Sequence, residues 1–331
     1  MNNAANQQNP RVAGYPLANP LASNPAIASL LAQDENRPPG SGNSGAPRGT
    51  TTPARRPSDR RMSATGIDTI AGQLTDRDRA ILRSTYDHRF LTVRQIRTLH
   101  FADLAPTSAH RKAKRVLARL RALRVLGALT QRVGGAHAGS DGLIHYVDAA
   151  GDRILRNRSG RQARRTYEPS ARFVAHRLAV ADAHITLIDA DRNGLIDLTD
   201  STVEPATWRS YTGIGAARRT LKPDLYAETA TEGDMVHAWF IEIDLGTEHI
   251  PTLLTKCREY EAYRQTGLEQ ERHGAFPIVV WSLTHKDPAT AERRRDALTA
   301  AIAADPRLTT ALFRIVAPEG VLPLIQAGGA R

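Results

Sequence analysis

Three carboxylates stand inside two apolar runs of this chain that otherwise read as buried strands, and a helix carrying a lysine follows at once. In LKPDLYAETATEGDMVHAWFIEIDLGTEHIPTLLTKCREYEAY, residues 221–263, Asp224 stands in one strand-like run. Glu242 and Asp244 stand in the next, beyond a short polar turn. Alternation along a strand sends Trp239, Ile241 and Ile243 to one side and Phe240, Glu242 and Asp244 to the other, and puts Asp224 on one face with Lys222 and Tyr226. If the two runs pair as a hairpin, Asp224 lies beside Glu242 and Asp244. Carboxylates gathered in this way repel and resist desolvation unless a cation or a proton neutralises them. A divalent ion, Mg²⁺ or Mn²⁺, held by Asp224, Glu242 and Asp244 is the economical solution, because it prefers oxygen ligands. The alternative is a wet sheet face with its acids turned to solvent. On a helical projection of the next segment, Lys256 falls between Tyr260 and Tyr263, on the side that carries Leu253 and Cys257. From there its amine can reach the acids or extend to water.

These residues need a scaffold, and the pattern from Phe173 onward predicts one. It reads as a long helix, three strands (STVEPATWRSY, LKPDLYAE, HAWFIEIDL), a helix, the apolar strand FPIVVWSL, a charged helix and a last strand, LFRIVAP. That order predicts an α/β (α+β) domain with a mixed sheet over residues 172–318. Residues 319–331 read as a C-terminal tail.

The first half has another character. Residues 1–70 are dominated by Asn, Gln, Pro, Gly, Ser and Ala, which cannot bury enough apolar surface to offset chain entropy, so they are expected to be disordered. Over residues 71–150, Thr75 with Asp78 and Thr92 with Gln95 read as helix starts of the capping-box type. A third helix is expected over 107–126, closed by Gly127, and two short strands follow it. Three helices and a hairpin in this order predict a winged helix-turn-helix. The third helix sets Ala113, Val116, Leu117, Leu120 and Leu123 within an arc of about 120°. Arg111, Lys112, Lys114, Arg115, Arg119 and Arg121 cover the rest, with no acid between Thr107 and Leu126. Solvated faces usually mix signs, so these six are the candidate contacts to double-stranded DNA, mostly through phosphates. The stretch 151–171 reads as a basic connector.

Composition agrees with a polyanionic partner. The chain of 331 residues has 41% hydrophobic residues and a formal charge of +11, which favours nucleic acid. No long apolar run points to a membrane, and the opening residues lack the basic start and apolar block of a signal peptide. A single cysteine, Cys257, excludes an internal disulfide, and a cytoplasmic location is the expectation. No P-loop is present, which argues against ATP-driven unwinding, and no tyrosine stands beside a His-x-His motif, which argues against a tyrosine relaxase.

The run KPDLYAE…WFIEIDLGTE…K…Y resembles the replication-relaxation family of actinobacterial plasmids and mobile elements, over residues from about 74 to 317. The resemblance implies a winged helix followed by a nuclease-like domain of the PD-(D/E)xK class. In that class the Asp of PD and the following Glu hold the metal, which maps to Asp224 and Glu242. The class has Lys two residues after that Glu, where this chain has Asp244. Lys256 is the first candidate to replace it and Lys222 the second, and Asp182 is the nearest match to a further acid on the first helix. His176, on the same helix, reads as a packing or hydrogen-bonding residue. Three functions follow as expectations. The first is an Mg²⁺-dependent DNA endonuclease or nickase with Asp224, Glu242, Asp244 and Lys256 as its catalytic set. The second is a non-catalytic initiator or accessory factor that recruits host replication proteins. The third is a transcriptional repressor whose second domain makes it a homodimer.

Overall fold

The computed structural model describes residues 63–132, 142–159, 169–231 and 235–330. Its first helix, α1 (Ala64–Gln73), starts where the Ser63 hydroxyl accepts from the Gly66 N–H. This corrects the tail boundary at residue 70. Ile67 and Leu74 are buried and Ile70 and Ala71 pack beside them, so helical spacing of a few apolar residues overrides the polar composition around them. Residues 1–62 lie outside the described residues.

Helices α2 (Asp76–His88) and α3 (Val93–His100) flank the short strand β1 (Leu91–Thr92). Both open with the expected reciprocal caps, Thr75 with Asp78 and Thr92 with Gln95. Helix α4 (Pro106–Ala122) stops short of the expected residue 126. The chain turns at Arg124, whose φ is +55°. Gly127 therefore caps nothing and sits in β2 (Leu126–Arg132), where a Cβ would lie 2.3 Å from the Tyr146 ring. Strand β3 (Leu143–Val147) pairs antiparallel with both β2 and β1, giving the order β1-β3-β2. The expected basic connector begins inside helix α5 (Ala149–Ser159), whose Ala150, Ile154 and Leu155 are buried in the same core. Residues 160–168 lie outside the described residues.

Helix α6 (Ala171–Arg192) has buried residues on every side, Arg177, Asp182 and His184 among them. Ala181 and Ile185 pack into the core of α1–α5, while Val174, Ala175 and Leu178 pack on the large sheet. One helix thus serves both cores. Beyond it come β4 (Asp197–Val203), β5 (Arg209–Thr212), β6 (Arg218–Leu221), β7 (Leu225–Thr231) and β8 (Met235–Asp244). Five strands replace the three expected, because the chain turns at 204–207 and again at 222–224, where Pro205 and Pro223 have no N–H to donate to a ladder. Helices α7 (Ile250–Arg264) and α8 (Leu268–His273), strand β9 (Ile278–Leu283), helix α9 (Pro288–Ala304), strand β10 (Phe313–Val316) and helix α10 (Val321–Gln326) complete the chain.

The large sheet is mixed, in the order β10-β9-β8-β7-β4, with β10, β9 and β8 parallel and β7 and β4 antiparallel. On one face α6 and α10 cover Leu225, Ala227, Trp239, Ile241 and Ile243; on the other α7 and α9 cover Tyr226, Phe240, Val279 and Trp281. The expected α+β class and the alternation along β8 both hold. The expected C-terminal tail does not, since Val321 and Ile325 are core residues. Among the described residues no helix is long and apolar enough to cross a membrane.

Among the described residues three histidines are buried, His88, His145 and His184, and His145 on β3 has an Nδ1 with no hydrogen-bond partner. Burial, with Arg121 nearby, pushes it down to about 4. Below the ordinary value near 6.5 the unfolded chain takes a proton on this ring that the folded protein refuses, so stability falls as pH drops from 6.5 toward 4. His145→Leu removes that loss. The variant should gain about 1.4 kcal/mol on wild type between pH 7.5 and pH 5.5. The melting-temperature difference between the two, measured at both pH values, should move in the variant's favour by roughly 3–6 °C.

Candidate functional site

The register of β7 on β8 puts Leu225 opposite Ile241, so Asp224, one residue before β7, comes opposite Glu242. Asp224 is fixed there by the backbone of the facing strand: Oδ2 accepts from the Ile243 N–H at 2.9 Å. Glu242 points with Phe240 toward α7. Lys256 and Tyr260 stand one turn apart on that helix, and both reach it. The Lys256 amine donates to Glu242 Oε2 at 2.5 Å, and the Tyr260 hydroxyl donates to Oε1. His176 of α6 places Nε2 3.2 Å from Asp224 Oδ1. Asp244 ends β8 and receives Arg294 of α9 at 2.6 Å; that guanidinium also donates to the Glu248 carbonyl.

All three acids line one open cavity of about 300 Å³ with Lys256, His176, Arg172 and Trp281. They are nonetheless buried, Asp224 at 7%, Glu242 at 1% and Asp244 at 4% exposure, which excludes the wet-face alternative. Each instead has its own protein cation or histidine, and that is how the fold tolerates three carboxylates in one place.

The electrostatics of the two facing acids diverge. Burial opposes the charge on Asp224, but Lys256, His176 and the Ile243 N–H hold its carboxyl well below the usual carboxylate range. For Glu242 burial wins: helped by Asp224, it outweighs Lys256 and Tyr260 and pushes the carboxyl up to about 8. Burial also disfavours the Lys256 ammonium, yet Glu242 and Asp224 keep it above the ordinary lysine value. Two carboxylates held apart in proton affinity, with a lysine between them, form the kind of site in which acid–base work is divided.

Other residues singled out by the sequence go elsewhere. Lys222 lies 4.8 Å over the Trp208 ring, so Lys256 alone of the two lysine candidates meets the acids. Asp182 accepts from Arg94 at 2.7 Å and Gln95 at 2.9 Å, at the joint between α3 and α6. His176 does hydrogen-bond, as expected, but to a site acid. Tyr260 and Arg294 were not legible as site residues. For Tyr260 a signal existed, since it stands four residues after Lys256 on the same helix face. Arg294 comes from a distant helix and had none.

For a divalent ion, the donor set narrows from three acids to two. Asp244 is committed to Arg294, and among the described residues no group of three His, Cys, Asp or Glu side chains could hold a metal as they stand. Asp224 and Glu242 still fit Mg²⁺ chemically, because that ion keeps several waters and takes one or two carboxylates. The Lys256 ammonium on Glu242 marks the place as one suited to positive charge.

On α4, Ala113, Leu117 and Leu120 are buried as expected. Arg111, Lys112, Lys114, Arg115 and Arg121 are exposed. Arg119 departs from the expectation. Its guanidinium grips both oxygens of the buried Asp78 at 2.6 and 2.7 Å, locking α4 to the cap of α2. Arg119 is thus exposed like the other five cations but tied to a buried acid.

A family model described as replication-relaxation matches residues 82–279 of the chain. No curated protein and no solved structure matches it.

Proposed function

Because the chain belongs to the replication-relaxation family, we propose that it binds the duplex DNA of a plasmid or mobile element and hydrolyses a phosphodiester bond there. One observation carries the second part: Asp224 and Glu242 face each other across two paired strands in an open cavity, with the Lys256 amine on Glu242. This supports a site of the PD-(D/E)xK class in which the lysine comes from the following helix rather than from the strand. Mg²⁺ held by Asp224 and Glu242 would supply Lewis-acid polarisation of a phosphoryl oxygen. The chain's own residues do the positioning. The Ile243 N–H and His176 aim Asp224, Tyr260 orients Glu242, and Lys256 offers a fixed positive charge to the developing negative charge of the phosphate. Conversion of supercoiled plasmid to the nicked form, with Mg²⁺ and then with excess chelator, tests the proposal; no conversion at millimolar Mg²⁺ refutes it.

A second reading, a non-catalytic accessory factor that docks on DNA, is favoured by the pairing of each acid with a protein cation or histidine. Both readings share the DNA-docking unit. The order helix, strand, helix, helix, strand, strand over α2–β3 supports a winged helix, and the cations of α4 are its phosphate contacts. Arg111→Ala with Arg115→Ala should weaken duplex binding. It should also reduce the slope of log K against log salt by about 1.8, since each phosphate contact contributes about 0.9. An unchanged slope in a filter-binding or anisotropy titration would remove α4 from the interface.

A further inference from the structure

The hairpin β5–β6 stands apart from the large sheet, and its two faces differ. Inward, Tyr211 and Leu221 are buried against α7, with the Tyr211 ring 5.1 Å from that of Tyr263. Arg209 pairs with Leu221 and Thr212 with Arg218, so Trp208, Ser210, Thr212, Arg218, Thr220 and Lys222 share the outward face. That face holds two cations, three hydroxyls and an indole, and no acid. Of the chain's three tryptophans, Trp239 and Trp281 are at 0% and 2% exposure, while Trp208 is at 38% with the Lys222 amine over its ring.

We propose that this face binds single-stranded DNA, with Trp208 stacking on an unpaired base and Arg218 and Lys222 meeting the phosphates on either side. The chemistry matches. An aromatic platform beside cations serves a base whose π-face is free, and only an unpaired strand offers one. DNA is the strand indicated by a family described by replication and relaxation. The position matches as well. Lys222 and Asp224 are two residues apart, roughly 7 Å of extended chain, and the Thr207 hydroxyl pins the intervening Pro223 carbonyl. A strand that meets Lys222 is thus held two residues along the chain from Asp224, one of the acids lining the cavity. The proposal does not require that cavity to cut.

The burial of the other two tryptophans makes the test direct. Unlabelled oligothymidylate added to the full chain in chelator should quench tryptophan emission saturably, with a midpoint that rises with salt. Trp208→Phe should abolish the quenching. In anisotropy titrations with a labelled oligothymidylate, Trp208→Ala should weaken binding about tenfold, and Arg218→Glu with Lys222→Glu at least as much. The proposal is overturned by absent quenching, by quenching that survives in Trp208→Phe, or by equal quenching from a blunt duplex. Tighter binding of oligouridylate would overturn the assignment to DNA. None of these readouts depends on cleavage, so failure here leaves the nicking experiment to judge the cavity separately.

Discussion

Asp224→Asn should abolish nicking of supercoiled plasmid, by at least about a hundredfold, while duplex affinity stays within about twofold. The substitution is nearly isosteric. The amide oxygen can still accept from the Ile243 N–H, so the turn from Pro223 into β7 is kept. The negative charge is lost, and it is a charge the fold works to maintain: His176 and Lys256 keep this buried carboxyl ionised far below its ordinary range. A carboxamide is a neutral, weaker ligand for a hard dication, so the rise in melting temperature produced by Mg²⁺ or Mn²⁺ in the wild type should vanish in the variant. Duplex binding is the internal control, because the α4 cations lie on a different core from the acids. If the variant nicks as fast as wild type, Asp224 is not part of any reaction centre. If the wild type gains no stability from either metal and does not nick, the accessory-factor reading replaces the enzymatic one.

Arg177→Met should destabilise the protein by about 3–5 kcal/mol. Arg177 lies on α6 with 0% exposure. Its guanidinium donates to the Glu204 carboxylate and, at 3.3 and 3.4 Å, to the His88 carbonyl at the end of α2. It therefore ties the first core to the turn after β4, where the Glu204 N–H donates to the Asp224 carbonyl. Met preserves much of the apolar volume but leaves the Glu204 charge and the helix-end carbonyl without their donor. The melting temperature should fall by about 10 °C or more, and Glu204→Gln in the same chain should recover part of the loss, since the stranded charge is then gone. A drop of less than 3 °C in the single variant would show that Arg177 is not the tie between the two cores.

Much of this architecture was legible in residue patterns. Period-two alternation assigned Trp239, Ile241 and Ile243 to one side of β8 and Phe240 and Glu242 to the other, because a strand has no other way to present them. Thr75 with Asp78 and Thr92 with Gln95 marked two helix starts, since a cap is a bond between residues three apart. The apolar stripe of α4 followed from helical geometry in the same way. All of these are local relations, complete within one element. The failures were also local in origin. Composition averaged over residues 1–70 hid the spacing of Ile67, Ile70 and Leu74, and the charge of residues 151–171 hid the buried Ile154 and Leu155.

Tertiary structure decided what the charged groups do. Arg111 and Arg119 look alike in the sequence, yet only Arg119 meets a buried acid, because α2 brings Asp78 to it. Lys222 is nearer to Asp224 in the chain than Lys256 is, but Lys222 turns onto Trp208, and α7 carries Lys256 to Glu242. Asp182 and His176 sit on one helix, and which of them joins the acids was set by where β7 crosses it. The sequence by itself determined that Glu242 and Asp244 would share one face of a strand; that Asp224 would join them from the turn before β7, and that each acid would be buried beside its own cation or histidine, drawn from α6, α7 and α9, was decided by packing, because desolvation makes an unpaired charge costly and only the folded chain brings partners from such separate segments together.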